Sequence, residues 1–312
     1  MILLQSIGGG GILVIGDTLL DFVGNTPIVK IQKICPNDAG DIYVKLEDFN
    51  PGGSIKTRIA LSMIIDAEKK GILKPNSGQT IIEPTGGNTG IGLSIIGAIR
   101  GYNVVLVVPD NYSKNKMKIS EAYGARVILS DSRTGNNSHI KLVEKILSQN
   151  DDYIYLDQFS NLSNPLAHYE ITGQEIVQSL DCVDSFVAGI GSGGTIMGIG
   201  KAIKEKFADA IIVGVQPKGC DVLKGKAIPH SIEGLAVGIM PKFLDSNVIN
   251  KVISVDFPDV VAVKEDLAKK EGLFLGLSSS ANICGALNMA KELGKGSKIV
   301  TIAPDGGRNY LV

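Results

Sequence analysis

One unit recurs three times in this chain: a short apolar strand, a glycine-bearing loop, then a run long enough for a helix. A strand that feeds a helix through a short loop returns to its sheet as a parallel neighbour, with the helix covering one face. Apolar, valine- and isoleucine-rich runs over 28–31, 42–46, 80–83, 104–108, 126–129, 153–156, 185–188, 211–215, 252–255 and 298–302 read as strands. Helices are expected over 55–70, from residue 90 to Arg100, over 114–123, 138–149 and 165–180, after Thr195 to Phe207, and over 259–271 and 281–293. Gly71 and Pro75, then Gly101 and Gly124, stop the first three. This alternation predicts an α/β architecture: two lobes of doubly wound, mostly parallel sheet with a cleft between them.

The length of 312 residues accommodates two lobes, and 44% apolar with 20% charged residues is an ordinary globular balance. A net charge of −1 argues against nucleic acid or an anionic membrane as partner. No apolar run reaches the roughly 18 residues of a membrane span. The four cysteines show neither zinc nor disulfide spacing, so a reducing cytosol is the simplest setting. Residues 1–14 are apolar but lack a basic leader, and they read as an N-terminal arm rather than a signal peptide. His139, His168 and His230 are isolated, so no metal site is expected, and the charges of 264–271 read as a solvated helix face.

Three loops carry chemistry. Asn50-Pro51-Gly52-Gly53-Ser54-Ile55-Lys56-Thr57-Arg58 delivers Lys56 into the first turn of a helix. A helix N-terminus disfavours a cation, and burial lowers a lysine pKa in the same direction. Lys56 is then either a lysine whose stem packs while its head reaches water, or a Schiff-base lysine. Gly191-Ser192-Gly193-Gly194-Thr195 lets backbone N–H groups and two hydroxyls converge on an anion at a helix N-terminus. It reads as a phosphate-monoester site, against a plain tight turn. Thr85-Gly86-Gly87-Asn88-Thr89 repeats the arrangement and suits a small carboxylate, or a capped helix start. Set at the edges of parallel sheets, an imine-forming lysine and a phosphate cradle together suggest pyridoxal phosphate.

From Gly24 to Leu311 the chain resembles the cysteine synthase/cystathionine β-synthase family of pyridoxal-phosphate enzymes. The resemblance rests on Gly24-Asn25-Thr26-Pro27, Pro51-Gly52-Gly53-Ser54-Ile55-Lys56, Glu83-Pro84-Thr85-Gly86-Gly87-Asn88-Thr89-Gly90, the 191–195 loop and Pro304-Asp305. It implies a fold-type II, tryptophan synthase β-like molecule. A smaller, mobile lobe of 51–160 would bind the substrate carboxylate. A larger lobe of 1–50 with 161–312 would bind the cofactor phosphate. It further implies that Lys56 carries the cofactor and moves the proton, that Asn88 meets the ring oxygen, and that Gly191, Ser192, Gly193, Gly194 and Thr195 hold the phosphate. Gly306 would lie at the ring nitrogen, and Thr85, Gly86, Gly87, Thr89 and Gln158 would hold the substrate carboxylate.

The implied activity is β-replacement on an activated serine through an aminoacrylate, most simply O-acetylserine plus sulfide giving cysteine and acetate. The alternatives are condensation of serine with homocysteine, a specialised β-substituted alanine synthase, or a weakly active regulatory relative. A cytoplasmic homodimer with a serine acetyltransferase partner belongs to the same picture. Three positions depart from the family pattern: Gly86 and Gly306 stand where serine is usual, and Thr57 where aspartate is common. The stretch from Asp157 to Tyr169 looks more like cystathionine β-synthase, whereas Gly276-Leu277-Ser278-Ser279-Ser280-Ala281 looks more like cysteine synthase.

Overall fold

The computed structural model of the protein describes residues 3–7, 11–135 and 137–310. The arm is a two-stranded antiparallel ribbon, β1 (Leu3–Ile7) with β2 (Gly11–Ile15), a pairing not foreseen because its apolar run shows no alternation of faces. Two strands follow, β3 (Ile28–Lys30) and β4 (Asp41–Leu46), then helix α1 (Lys56–Lys69). The next segment alternates throughout: β5 (Thr80–Pro84), α2 (Asn88–Arg100), β6 (Asn103–Pro109), α3 (Lys114–Ala122), β7 (Arg126–Ser130), α4 (Ser138–Leu147) and β8 (Tyr153–Tyr155). Two short helices, α5 (Ser163–Ala167) and α6 (Gln174–Ser179), flank a π-helical stretch, His168–Gly173. The chain closes with β9 (Ser185–Gly189), α7 (Gly194–Lys206), β10 (Ile211–Pro217), β11 (Lys251–Val255), α8 (Phe257–Asp266), α9 (Leu277–Leu293) and β12 (Lys298–Ala303).

The helix expected over 165–180 is therefore helical but not uniformly α. Its widened turn meets α7 at two glycines. A Cβ on Gly173 would stand 2.6 Å from that of Ala202, and one on Gly198 only 2.2 Å from the Pro165 carbonyl. The helices touch backbone to backbone there, which sets α7 and the loop before it.

Four parallel strands form one sheet in the order β7-β6-β5-β8, and six form the other in the order β11-β10-β9-β12-β4-β3, antiparallel only at the β3 edge. In the larger sheet alternate residues bury opposite ways. Val187, Val213 and Ile299 join Ala286 and Met289 of α9, whereas Phe186, Ile212 and Val300 join Ile196, Ile199 and Ile203 of α7. Burying one such isoleucine or valine contributes about 1.5–3 kcal/mol.

Strand order places the site. The chain runs β9, β10, β11 outward and then returns to insert β12 between β9 and β4. In the smaller sheet it runs β5, β6, β7 and then returns to lay β8 against the free side of β5. Each reversal opens a crevice beyond the C-terminal strand ends, where such sheets take ligands. The loops after β4, β9 and β12 share one crevice, and those after β5 and β8 share the other.

Candidate active site

The loop from β4 to α1 is pinned where the chain must turn. Gly52 and Gly53 have φ +79° and +71°, which side-chain-bearing residues rarely adopt. The Ile55 N–H donates to the Pro304 carbonyl at 2.8 Å, and Ser54 bridges to Asp305, so the turn is tied to the end of β12. Lys56 then opens α1 with no acidic residue in the first turn and no side-chain cap. Two residues on, the Arg58 side chain has no exposed surface and binds Glu47 (Nε–Oε2 2.6 Å) and Glu175 (Nη1–Oε1 2.7 Å); Lys45 adds a further bond to Glu175 at 2.7 Å. Glu175 answers two cations. Burial opposes its ionisation, but hydrogen bonds and charge from Arg58, with Lys45 behind, hold its carboxyl at about 2. This ionic cluster locks the start of α1 onto the six-stranded lobe.

Lys56 lines a cavity of about 120 Å³. Burial lowers its amine from the usual 10.5 to about 8, against the opposing charge of Asp305. An amine so placed is neutral in a substantial fraction of molecules near pH 8.

The same cavity is lined by Gly191, Ser192, Gly193 and Thr195. Gly193 has φ +80°, and a Cβ on Gly191 would lie 2.2 Å from the Gly234 carbonyl, so glycine is required at both. Gly194 starts α7, and a Cβ there would lie 2.0 Å from Asn164 Oδ1. The loop thus aims the N-terminus of a 13-residue helix toward the lysine. Beneath it His168 is fully buried between Thr172 Oγ1 (3.1 Å) and Thr195 Oγ1 (3.4 Å). Burial, then the charges of Lys56 and Arg58, hold its pKa well below 6.5, so a neutral ring supports the loop.

From the smaller lobe, Asn88 opens α2 and reaches the cavity. Its Nδ2 donates to Asp305 Oδ2 at 2.7 Å, and its Oδ1 is buried without a protein partner. Tyr310 donates to the same Asp305 oxygen at 2.6 Å. Thr89 Oγ1 donates to Gln158 Oε1 at 2.9 Å, joining the loops after β5 and β8. Thr85, Gly86, Gly87, Thr89 and Gln158 gather behind Asn88 but do not line the cavity.

Two expectations meet different surroundings. Gly306 does not line the cavity of Lys56; it lines a neighbouring one of about 420 Å³ with Asp48 and Arg308. A serine that does line the lysine's cavity is Ser278, at the N-terminal turn of α9. Its place among three consecutive serines ahead of an apolar helix was the available signal. At Gly86 the absent side chain has a steric cause: a Cβ would stand 2.3 Å from Val108 Cγ1 and 2.7 Å from Tyr112 Cδ2. Unforeseen too was Lys116, buried on α3, paired with Glu233 at 2.8 Å and 4.2 Å from the centre of the Tyr310 ring. All three of these residues line the cavity.

The sequence profile of the family described as "Pyridoxal-phosphate dependent enzyme" matches residues 19–305. The chain belongs to this family. Within it, the chain is 40% identical over 298 residues to the cysteine synthase of Staphylococcus aureus, covering 95% of each protein. The structure of cysteine synthase from Entamoeba histolytica superposes with a TM-score of 0.89 at 34% identity, over 99% of this chain and 92% of that one. That of the O-acetylserine dependent cystathionine beta-synthase from Helicobacter pylori also gives 0.89, at 37% identity, over 96% and 98%. The fold is therefore that of the fold-type II enzymes, and the cofactor is pyridoxal phosphate. The residues present fit it: a desolvated lysine, a helix-borne anion loop on the same cavity, and an asparagine oxygen buried without a protein partner.

Proposed function

We propose that this enzyme replaces the β-substituent of an activated serine, joining O-acetylserine and sulfide to give cysteine and acetate. The observation that carries the reading is the meeting of Lys56 with the 191–195 loop in one cavity, which Asn88 joins to a second donor-rich loop. The cysteine synthases among its relatives support the substrate assignment.

Bound through Lys56, pyridoxal phosphate supplies an electron-withdrawing ring that eases loss of a proton from the carbon beside it. The remaining work falls to the chain. Lys56, with its pKa near 8, accepts the Cα proton in its neutral form and holds it at Nζ. Gly191, Ser192, Gly193, Gly194 and Thr195 hold the phosphate, Asn88 meets the ring oxygen, and Ser278 supplies the hydroxyl that Gly306 lacks. Thr85, Gly86, Gly87, Thr89 and Gln158 orient the substrate carboxylate. Closure of the 51–160 lobe on 1–50 with 161–312 excludes water. We place the enzyme in the cytoplasm as a homodimer, with a serine acetyltransferase as the partner that supplies its substrate.

A cystathionine-forming reading has one specific observation behind it. The Lys116–Glu233 pair brings both signs of charge to the cavity, as an amino-acid thiol would need. Purified enzyme given O-acetylserine with sulfide or with homocysteine decides between them. Cysteine formed at a kcat/KM at least about tenfold above that for cystathionine supports the proposal, a gap of about 1.4 kcal/mol. The reverse order favours the second reading, and no product from either donor–nucleophile pair overturns both.

A further inference from the structure

A buried hydrogen-bond chain joins the two ligand loops across the lobes. Thr89, in the first turn of α2 just beyond β5, donates from Oγ1 to Gln158 Oε1 at 2.9 Å. The Gln158 carbonyl accepts from Asn164 Nδ2 at 2.7 Å, and the same nitrogen reaches Ser192 Oγ of the 191–195 loop at 3.2 Å. All four residues are buried, and Asn164 has no exposed surface. The amide orientation follows from chemistry: a backbone carbonyl can only accept, so nitrogen must face Gln158.

The two middle residues of this chain are themselves fixed. The Gln158 N–H donates to Glu83 Oε1 at 3.1 Å, at the end of β5, and the Asn164 N–H donates to the Asn161 carbonyl at 3.0 Å. Asn164 also fills the space in front of Gly194, where a Cβ would fall 2.0 Å from its Oδ1, and that oxygen has no hydrogen-bond partner. A buried amide that leaves its oxygen unsatisfied while its nitrogen serves two loops is poorly explained by packing alone, since an apolar residue of that size avoids the cost.

We propose that Asn164 is a positioning residue that couples the substrate-carboxylate loop to the cofactor-phosphate loop. A carboxylate drawn onto residues 85–89 pulls on Thr89 and Gln158. Asn164 transmits the shift to Ser192, so the cofactor's seat and the substrate's seat tighten together. The inference rests on the assignment of those two loops given above.

A double-mutant cycle tests it without turnover. Holoenzymes carrying Thr89→Val, Ser192→Ala and both are titrated with L-alanine and L-methionine, which have no good β-leaving group, and Kd is read from the visible absorbance change. The proposal expects the two substitutions to be non-additive by about threefold or more in Kd, as for residues within one network, and additive within about 1.5-fold when Asn164→Ala is also present. Non-additivity that persists without the Asn164 amide overturns it. So does additivity in the parent background, which decides the matter even if Asn164→Ala does not fold. Asn164→Leu, of similar size but without the donor, must match Asn164→Ala. If neither amino acid perturbs the spectrum of the parent enzyme, the amino-acid reading of the site fails and the coupling falls with it.

Discussion

Replacing Lys56 by methionine should make the cofactor-free protein more stable at neutral pH while abolishing its chemistry. Methionine keeps the unbranched stem and removes only the amine that burial penalises. In the folded protein that amine loses its proton near pH 8, against 10.5 ordinarily. Between those values the unfolded chain holds a proton that the folded one has released, so stability climbs as pH rises through the window. Below pH 8 both states are protonated and the folded one carries the full desolvation cost; above 10.5 neither is. At about 1.36 kcal/mol per pH unit, the gap between 10.5 and about 8 amounts to ~3 kcal/mol, less whatever cavity water returns. Urea unfolding of both cofactor-free proteins at pH 7, 8.5 and 10 measures it, because the other titrating groups cancel in the difference. Lys56→Met should be more stable by ~1.5–3 kcal/mol at pH 7, and the advantage should shrink toward zero near pH 10.5. Equal stability at every pH, or a less stable variant at pH 7, refutes the claim that Lys56 is held against its charge.

Arg58→Met takes the Arg58 cation from Glu47 and leaves Glu175 with Lys45 alone, and should cost about 3–5 kcal/mol. Because Glu175 titrates at about 2 rather than 4.5, the parent's share of that stability is present above 4.5 and is lost as pH falls toward 2. Acid unfolding curves should show this loss for the parent and a flatter profile for the variant. Gly86→Ser should destabilise by about 1–3 kcal/mol through overpacking against Val108 and Tyr112. Measured by urea unfolding, that cost should be smaller in a Tyr112→Ala background; an unchanged cost would show that Tyr112 is not what excludes the side chain.

Much of this molecule is written in local pattern. The runs over 42–46, 185–188 and 298–302 carry β-branched residues between glycine loops, and all three are largely buried strands running parallel to one another. Lys56 stood out in the sequence because a cation in a helix's first turn contradicts the dipole, and the fold sets it in the wall of the cavity. What stayed hidden depends on partners distant in sequence. Ser278 reads as an ordinary helix-start serine until α9 is packed beside β12. Lys116 reads as one of several lysines on an exposed helix until Glu233, 117 residues on, meets it. Gly306 follows Asp305 directly in sequence, yet faces the neighbouring cavity with Asp48, because the chain turns away after the bridge to Ser54. Gly86 looked like a lost hydroxyl and is a position with no room for one.

The central claim is that the cofactor is held on Lys56. Borohydride reduction of the purified holoenzyme, followed by digestion and mass mapping, tests it most directly. The account predicts loss of the visible absorbance and a reduced pyridoxyl adduct on the peptide containing Lys56. Lys116 lines the same cavity and is the competing amine. An adduct on Lys116 or any other lysine, or a protein that retains no cofactor to reduce, contradicts it.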